Sequence, residues 1–326
     1  MVDVNGWIDV HAHFSPPTTP AIRHAQWEGA RALCFMAPQP YHWTPESTLE
    51  YMDRHGIAMH LLSNIPKDLT ALRESNDYGA QLVAEHPTRF GLLAALPTDD
   101  PDACLAEIER GDRHTHPDGY AVATRRGDVH LGDERLEPVW AELDRRRAVV
   151  FVHPATDALP QSGLPTPLVE VAFETARTVV GMLYAGVFRR YPNATVILAH
   201  CGGALPALSG RLGLLGTAAW VPNPHRITHE EITEQLGRLY LDTAASGTDA
   251  NLAAALTMVS RDHLVYGADS GVPCSNEASL DANLQCLLNS SVLTHEEADQ
   301  LGHRALTLFP SAARRRQDSF ANAARP

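Results

Sequence analysis

What most constrains this chain is a set of eight short apolar runs, at residues 7–10, 59–62, 90–96, 120–122, 149–152, 196–199, 239–241 and 264–266. Each is continuous in Val, Ile, Leu or Phe instead of alternating with polar residues, which is the pattern of strands buried on both faces in a helix-covered parallel sheet. Successive runs start 25 to 52 residues apart, enough in every case for the crossover that parallel strands require. Between them, residues 76–86, 102–110 and 136–147 carry helical spacing, the last with Leu136, Val139, Trp140 and Leu143 on one face. Eight such units in about 270 residues match an α/β fold of the (β/α)8 TIM-barrel type. The competing doubly wound open sheet lacks its usual mark, since no G-x-G-x-x-G follows the first run.

The expectation is therefore one barrel domain over residues 1–326. A Pro- and aromatic-rich insertion at about 15–56 follows the first strand and is expected to pack as a lid. Thr294 and Glu297 form a T-x-x-E capping box that opens a last helix running to about Phe309. Residues 311–326 read as a short frayed tail.

In a parallel barrel the loops at the C-terminal ends of the strands build the pocket. The first run ends in His11-Ala12-His13, the fifth in His153, the sixth in His200 and the eighth in Asp269. Two residues apart on a strand, His11 and His13 point to the same side and can reach one ion. Three neutral imidazoles and a carboxylate suit Zn²⁺, or Mn²⁺ as the alternative, and leave room for water or substrate. One strand-end histidine alone is usually a hydrogen-bonded polar residue; four with an aspartate on one face point to a catalytic metal site. His114 and His116 repeat the spacing but precede the fourth run, which places them on the opposite face. Phe14, Trp27 and Trp43, in or beside the insertion, and Ser63 and Thr124, at other strand ends, are the expected substrate-contacting residues.

Charge and composition exclude other classes. With 26 basic against 39 acidic residues the net charge is -13, and no basic stripe is present, so nucleic acid is not an expected partner; arginines 314–316 read as a solvated tail. No stretch approaches the roughly 18 to 20 apolar residues of a membrane span, and the N-terminus has no basic and apolar leader. Five scattered cysteines without a C-x-x-C pair suit reduced thiols. The chain reads as cytosolic. Of its basic residues, all but Lys67 are arginine.

The segments IDVHAHF from Ile8, YMDRHGI from Tyr51, RFGLLAALP from Arg89, PVWAELDRRRAVVFVHP from Pro138, VILAHCGGALP from Val196 and LVYGADS from Leu264 together resemble the decarboxylase branch of the amidohydrolase superfamily. That group includes aminocarboxymuconate-semialdehyde and γ-resorcylate decarboxylases, and the likeness is greatest to 6-methylsalicylate decarboxylases. The resemblance implies that His11, His13, His153 and Asp269 bind one divalent ion and that His200 serves proton transfer. Binuclear amidohydrolases use a carboxylated lysine at the end of strand four, where this chain reads Ala123-Thr124-Arg125, so a mononuclear centre is implied. Arg211, eleven residues beyond His200, matches an arginine that enters the neighbouring subunit's pocket in relatives, which implies a homodimer at least.

Two departures bear on the substrate. Residues 46–50 (Glu-Ser-Thr-Leu-Glu) stand where aminocarboxymuconate-semialdehyde decarboxylase has a substrate-binding arginine, and Ser270-Gly271-Val272-Pro273-Cys274 replaces an aromatic residue and proline after the metal aspartate. The expected reaction is nonoxidative loss of CO2 from a small salicylate-type or related unsaturated carboxylic acid. Asp269 is expected to deliver a proton to the ring carbon, while His200 polarises the substrate hydroxyl or a water. The alternatives are a mononuclear hydrolase of lactones or amides on the same fold, and a noncatalytic metal- or ligand-binding barrel.

Overall fold

Each of the eight apolar runs forms one strand of a parallel barrel in the computed structural model, which describes residues 4–155 and 163–323. The barrel strands are β1 (Ile8–His13), β2 (Met59–Ser63), β3 (Phe90–Ala95), β4 (Gly119–Ala123), β7 (Val149–His153), β8 (Thr195–Leu198), β9 (Tyr240–Asp242) and β10 (Leu264–Val265). A two-stranded antiparallel hairpin, β5 (Arg125–Arg126) with β6 (Val129–His130), follows β4. The barrel strands pair in chain order. Closure comes from the segment after β10: Val10 N donates to Tyr266 O at 3.0 Å, Asp269 N to His11 O at 2.8 Å and His13 N to Ser270 O at 2.7 Å. Asp9 strengthens this seam from within, its Oδ1 accepting from Ala268 N and His11 N at 2.9 Å each.

Strand alternation separates two cores. Leu61, Ala121, Val149, Phe151 and Ile197 fill the barrel interior, while their neighbours Leu62, Val122, Val150, Val152 and Leu198 pack outward against residues such as Trp140, Met182 and Leu284 of the helices. The same two-residue period carries His153 inward beyond Phe151. In β1 the register shifts between Asp9 and Ala12. This irregularity lets His11 meet Phe151, ring centroids 4.8 Å apart, although Ile8 and Val10 already belong to the interior.

The insertion contains two helices, Pro20–Ala32 and Pro45–His55, each with proline in its first turn and a threonine N-cap, Thr19 or Thr44. No residue of Pro20–Ala32 is buried; Tyr51 and Met52 anchor the second helix. The expected capping box forms, with Glu297 N donating to Thr294 Oγ1 at 3.2 Å and Thr294 N to Glu297 Oε2 at 2.8 Å. The helix it opens is divided, however, into His295–His303 and Ala305–Leu308.

Over residues 311–323 the C-terminal segment is not the frayed, solvated tail expected, while 324–326 of that expected tail lie outside the described residues. Pro310–Ala323 is helical, and Phe309 and Ala312, 0% and 1% exposed, belong to the barrel-interior core. Full burial of a phenylalanine contributes about 2 to 3 kcal/mol. The arginines are bonded as well: Arg315 reaches Asp118 through both Nη atoms at 2.9 Å, and Arg316 donates to Gly6 O at 3.1 Å. Among the described residues no helix is long and apolar enough to cross a membrane.

Candidate metal centre

The ends of β1, β7, β8 and β10 bring five side chains to one point at the C-terminal mouth. His11 Nε2 lies 3.0 Å from His13 Nε2, and Asp269 Oδ1 lies 3.2 Å from each of them. Donor atoms of His11, His153, His200 and Asp269 all fall within 4.8 Å of one another. Two atoms that ligate one ion at about 2.0–2.1 Å stand about 3 to 3.5 Å apart, so the His11–His13–Asp269 triangle has the edges of a coordination polyhedron.

Hydrogen bonds fix the lone pairs. His11 Nδ1 is 2.7 Å from Asp242 Oδ2, both side chains being fully buried, and His153 Nδ1 donates to Pro154 O at 2.9 Å. Nε2 is then the ring nitrogen turned toward the cluster, a lone pair in His153 and, in His11, one freed when an incoming ion displaces the proton. Gly267 permits the first contact: a β-carbon there would lie 2.9 Å from Asp242 Cβ and 3.0 Å from His11 Cβ.

Electrostatics sort the protonation states of the ion-free chain. Burial holds His13 below the ordinary imidazole value, and burial with the neighbouring rings of His13, His11 and His200 holds His153 well below it, so both are neutral donors. For His11, burial is outweighed by Asp242 and Asp269, which push it up to about 10. Burial also raises Asp269, but His11, His13 and His200 overcome it and keep the carboxyl well below the usual range. Neutral imidazoles beside an ionised carboxylate fit a divalent cation.

The two remaining features concern backbone and orientation. His200 (φ 54°), Cys201 (φ 56°) and Asp269 (φ 60°) occupy left-handed conformations, which cost non-glycine residues roughly 1 to 3 kcal/mol and concentrate at functional sites. Asp269 is oriented edge by edge. Oδ1 faces His11 and His13, while Oδ2 faces His200 Nε2 at 3.6 Å and accepts from Ser275 Oγ at 3.4 Å.

The expected substrate contacts fare differently. A cavity of about 250 Å³ adjoins His13 and His153 and is lined also by Lys67, Ala123, Arg125 and Arg126; none of Phe14, Trp27, Trp43, Ser63, Thr124 and Arg211 lines it. Phe14 and Trp43 are buried with ring centroids 6.1 Å apart. Trp27 stays on the outer helix, donating to Ala37 O at 2.7 Å. Ser63 is fully buried. The Thr124 hydroxyl, also fully buried, accepts from Ala155 N at 2.9 Å and donates to Glu174 at 3.3 Å. Arg211 is exposed on helix Leu205–Leu215. His114 and His116 are exposed, far in sequence and strand position from the cluster.

Sequence reasoning did not single out Asp242 or Arg126, and it read Arg125 as a solvated loop charge, whereas Arg125 lines the cavity. Asp242 could have been found, since it ends the seventh apolar run; the two arginines carry no motif of their own.

A closed (β/α)8 barrel with a His/Asp cluster at its C-terminal mouth defines a divalent-metal barrel enzyme. The chain belongs to the amidohydrolase family, whose model matches residues 8–316. It is 34% identical to the decarboxylase yanB of Aspergillus niger, over 93% of this chain and 87% of that protein. It is 30% identical to a 6-methylsalicylic acid decarboxylase of Penicillium expansum, over 80% and 84%. The crystal structure of a dihydroxybenzoic acid decarboxylase from Polaromonas sp. JS666, with bound manganese and the inhibitor 2-nitroresorcinol, superposes with a TM-score of 0.76 at 25% identity, covering 94% of this chain and 97% of that one.

Proposed function

We propose that this chain is a metal-dependent nonoxidative decarboxylase, a carboxy-lyase acting on a small salicylate-type hydroxyaromatic acid. The observation that carries the reading is the division of the Asp269 carboxylate, one oxygen among the ligand nitrogens and the other facing His200; the named decarboxylase relatives support it. His11, His13, His153 and Asp269 would hold one ion, for which the mixed nitrogen and oxygen set favours Zn²⁺ with Mn²⁺ as competitor. When bound, the ion supplies Lewis-acid polarisation of the carboxylate and the ortho oxygen and fixes the ring.

The chain's own groups then move the proton. Asp269 Oδ2 takes a proton from His200 Nε2 and passes it to the ring carbon bearing the carboxylate, and His200 regains a proton from solvent. The protonated ring carbon releases CO2 by breaking the C–C bond, and aromaticity returns. Chelation is expected to abolish CO2 release from substituted salicylates, and stoichiometric Zn²⁺ or Mn²⁺ to restore it. Absence of divalent binding under all conditions removes the reading. Ring opening of lactones without CO2 release replaces it with a hydrolase.

The assembly is proposed as a homodimer. Arg211 lies one turn before Leu214 on helix Leu205–Leu215, and Leu214 and, in the turn that follows, Trp220 are 83% and 70% exposed, so this end of the chain's surface offers apolar area for a second copy. Light scattering should give twice the 35.5 kDa chain mass; a monomer at working concentration excludes a role for Arg211 in a neighbour's pocket.

A further inference from the structure

Away from the barrel mouth, a second group of side chains has the chemistry to hold a cation. His55 ends helix Pro45–His55 of the insertion, and Glu277 and Asp281 lie on helix Glu277–Leu288. Each offers one donor atom, and these atoms fall within 4.8 Å of one another. Glu277 and Asp281 are four residues apart and so share one face of their helix.

His55 Nε2 lies 3.2 Å from Asp281 Oδ1, the distance that separates His11 and His13 from Asp269 at the barrel mouth. Asp281 Oδ1 is screened from solvent, yet it has no hydrogen-bond partner among the described residues. Two lone pairs that close suit a shared ion, since ligand atoms at about 2.0–2.1 Å from a metal stand about 3 to 3.5 Å apart. Tyr51 supplies an independent sign. It is 7% exposed, its ring centroid lies 4.5 Å from that of His55, and its hydroxyl also has no hydrogen-bond partner among the described residues. Burial, then the carboxylates of Asp281, Asp9 and Glu277, raise that phenol above its ordinary value, so the unbonded hydroxyl stands in the field of this cluster. A buried polar group left without a partner points to a bound ion or water. Arg54 opposes a cation, its Nη2 donating to Glu277 Oε1 at 2.8 Å. Both members of that pair are half-exposed, which makes it weak, and a carboxylate keeps lone pairs after one such bond.

We propose that His55, Glu277 and Asp281 form a second divalent-cation site, separate from the barrel mouth, that clamps the insertion to helix Glu277–Leu288. One imidazole and two carboxylates suit Zn²⁺ and leave a position for water, which gives the Tyr51 hydroxyl its partner. The clamp bears on the barrel mouth by a short path: Asn276 caps helix Glu277–Leu288, and its neighbour Ser275 donates to Asp269 Oδ2 at 3.4 Å. An ion bound here ties the insertion to the loop that orients Asp269 and stabilises the folded chain by mass action. The site stands independently of the decarboxylase reading.

The test is calorimetric titration of the chelator-stripped full chain with Zn²⁺, with thermal midpoints measured on the same samples. Wild type is expected to bind one equivalent at the barrel mouth and a second, weaker one outside it. Asp281→Asn and His55→Gln should each weaken the outer equivalent by about 100-fold, the upper end of what loss of even a ligand's supporting partner costs, and leave the first in place. His13→Ala should do the reverse, and Zn²⁺ should still raise its thermal midpoint unless Asp281→Asn is added. Glu277→Gln stands in if either outer variant does not fold. A wild-type chain without a second equivalent, or a second equivalent that the outer variants retain, overturns the proposal. An outer equivalent lost in those variants, with no binding at the barrel mouth, upholds it and removes the barrel metal centre instead.

Discussion

Asp269→Asn is expected to lower kcat for CO2 release by about 10³-fold, within the 10² to 10⁴ range of positioned acid–base groups, while the protein stays folded and retains its metal. The amide preserves the shape of the carboxyl and can still offer one oxygen toward His11 and His13, whose Nε2 atoms lie 3.2 Å from Oδ1. It cannot carry a proton at the second position, the one 3.6 Å from His200 Nε2. His200→Asn should reduce kcat less, by about 10²-fold, because it removes the supply of the proton and leaves its delivery to the ring carbon intact. Steady-state CO2 release with metal content measured on the same samples separates loss of chemistry from loss of the ion. Full activity in either variant, with metal bound, removes the role assigned to that residue.

The eight strands were legible because a fully buried strand must be continuously apolar, and crossover length forbids most other arrangements. The candidate cluster was legible for a related reason: where a run such as 149–152 ends, the next inward position faces the mouth of the barrel, so His153 stands out as a candidate. What lay outside that logic was set by contacts distant in sequence. The shift in β1 is a backbone irregularity that no side-chain period announces. Left-handed φ at His200 and Asp269 goes against residue preference, and only the surrounding structure can impose it. The C-terminal segment looked solvated because three arginines dominate it. Its order depends on Phe309 and Ala312 entering the barrel interior and on the buried Asp118, none of which a local window relates to it. The aromatic residues of the insertion illustrate the same limit of local reading: Phe14 and Trp43 are buried and Trp27 lies on a helix without buried residues, positions that depend on packing distant in sequence.

Asp242→Asn is expected to weaken metal binding by about 10- to 100-fold at high pH, although Asp242 does not face the ion. Its Oδ2 holds His11 Nδ1 at 2.7 Å and its Oδ1 accepts from Ala244 N at 2.9 Å, so the carboxylate is anchored and both side chains are fully buried. That bond fixes the His11 tautomer and makes Nε2 a stronger donor. The same carboxylate has an opposing effect. Burial would depress His11, but Asp242 and then Asp269 push it up to about 10, so below that pH an incoming ion has to displace a proton. Wild-type affinity should therefore rise with pH toward about 10. In the asparagine variant the largest interaction favouring the proton is lost, so the rise ends at a lower pH and the plateau lies lower. Competition against a chromophoric chelator from pH 6 to 10 reads both quantities, and the gap between the proteins should widen as pH increases. Identical affinities across the range would show that Asp242 only packs against His11 and does not support it as a ligand.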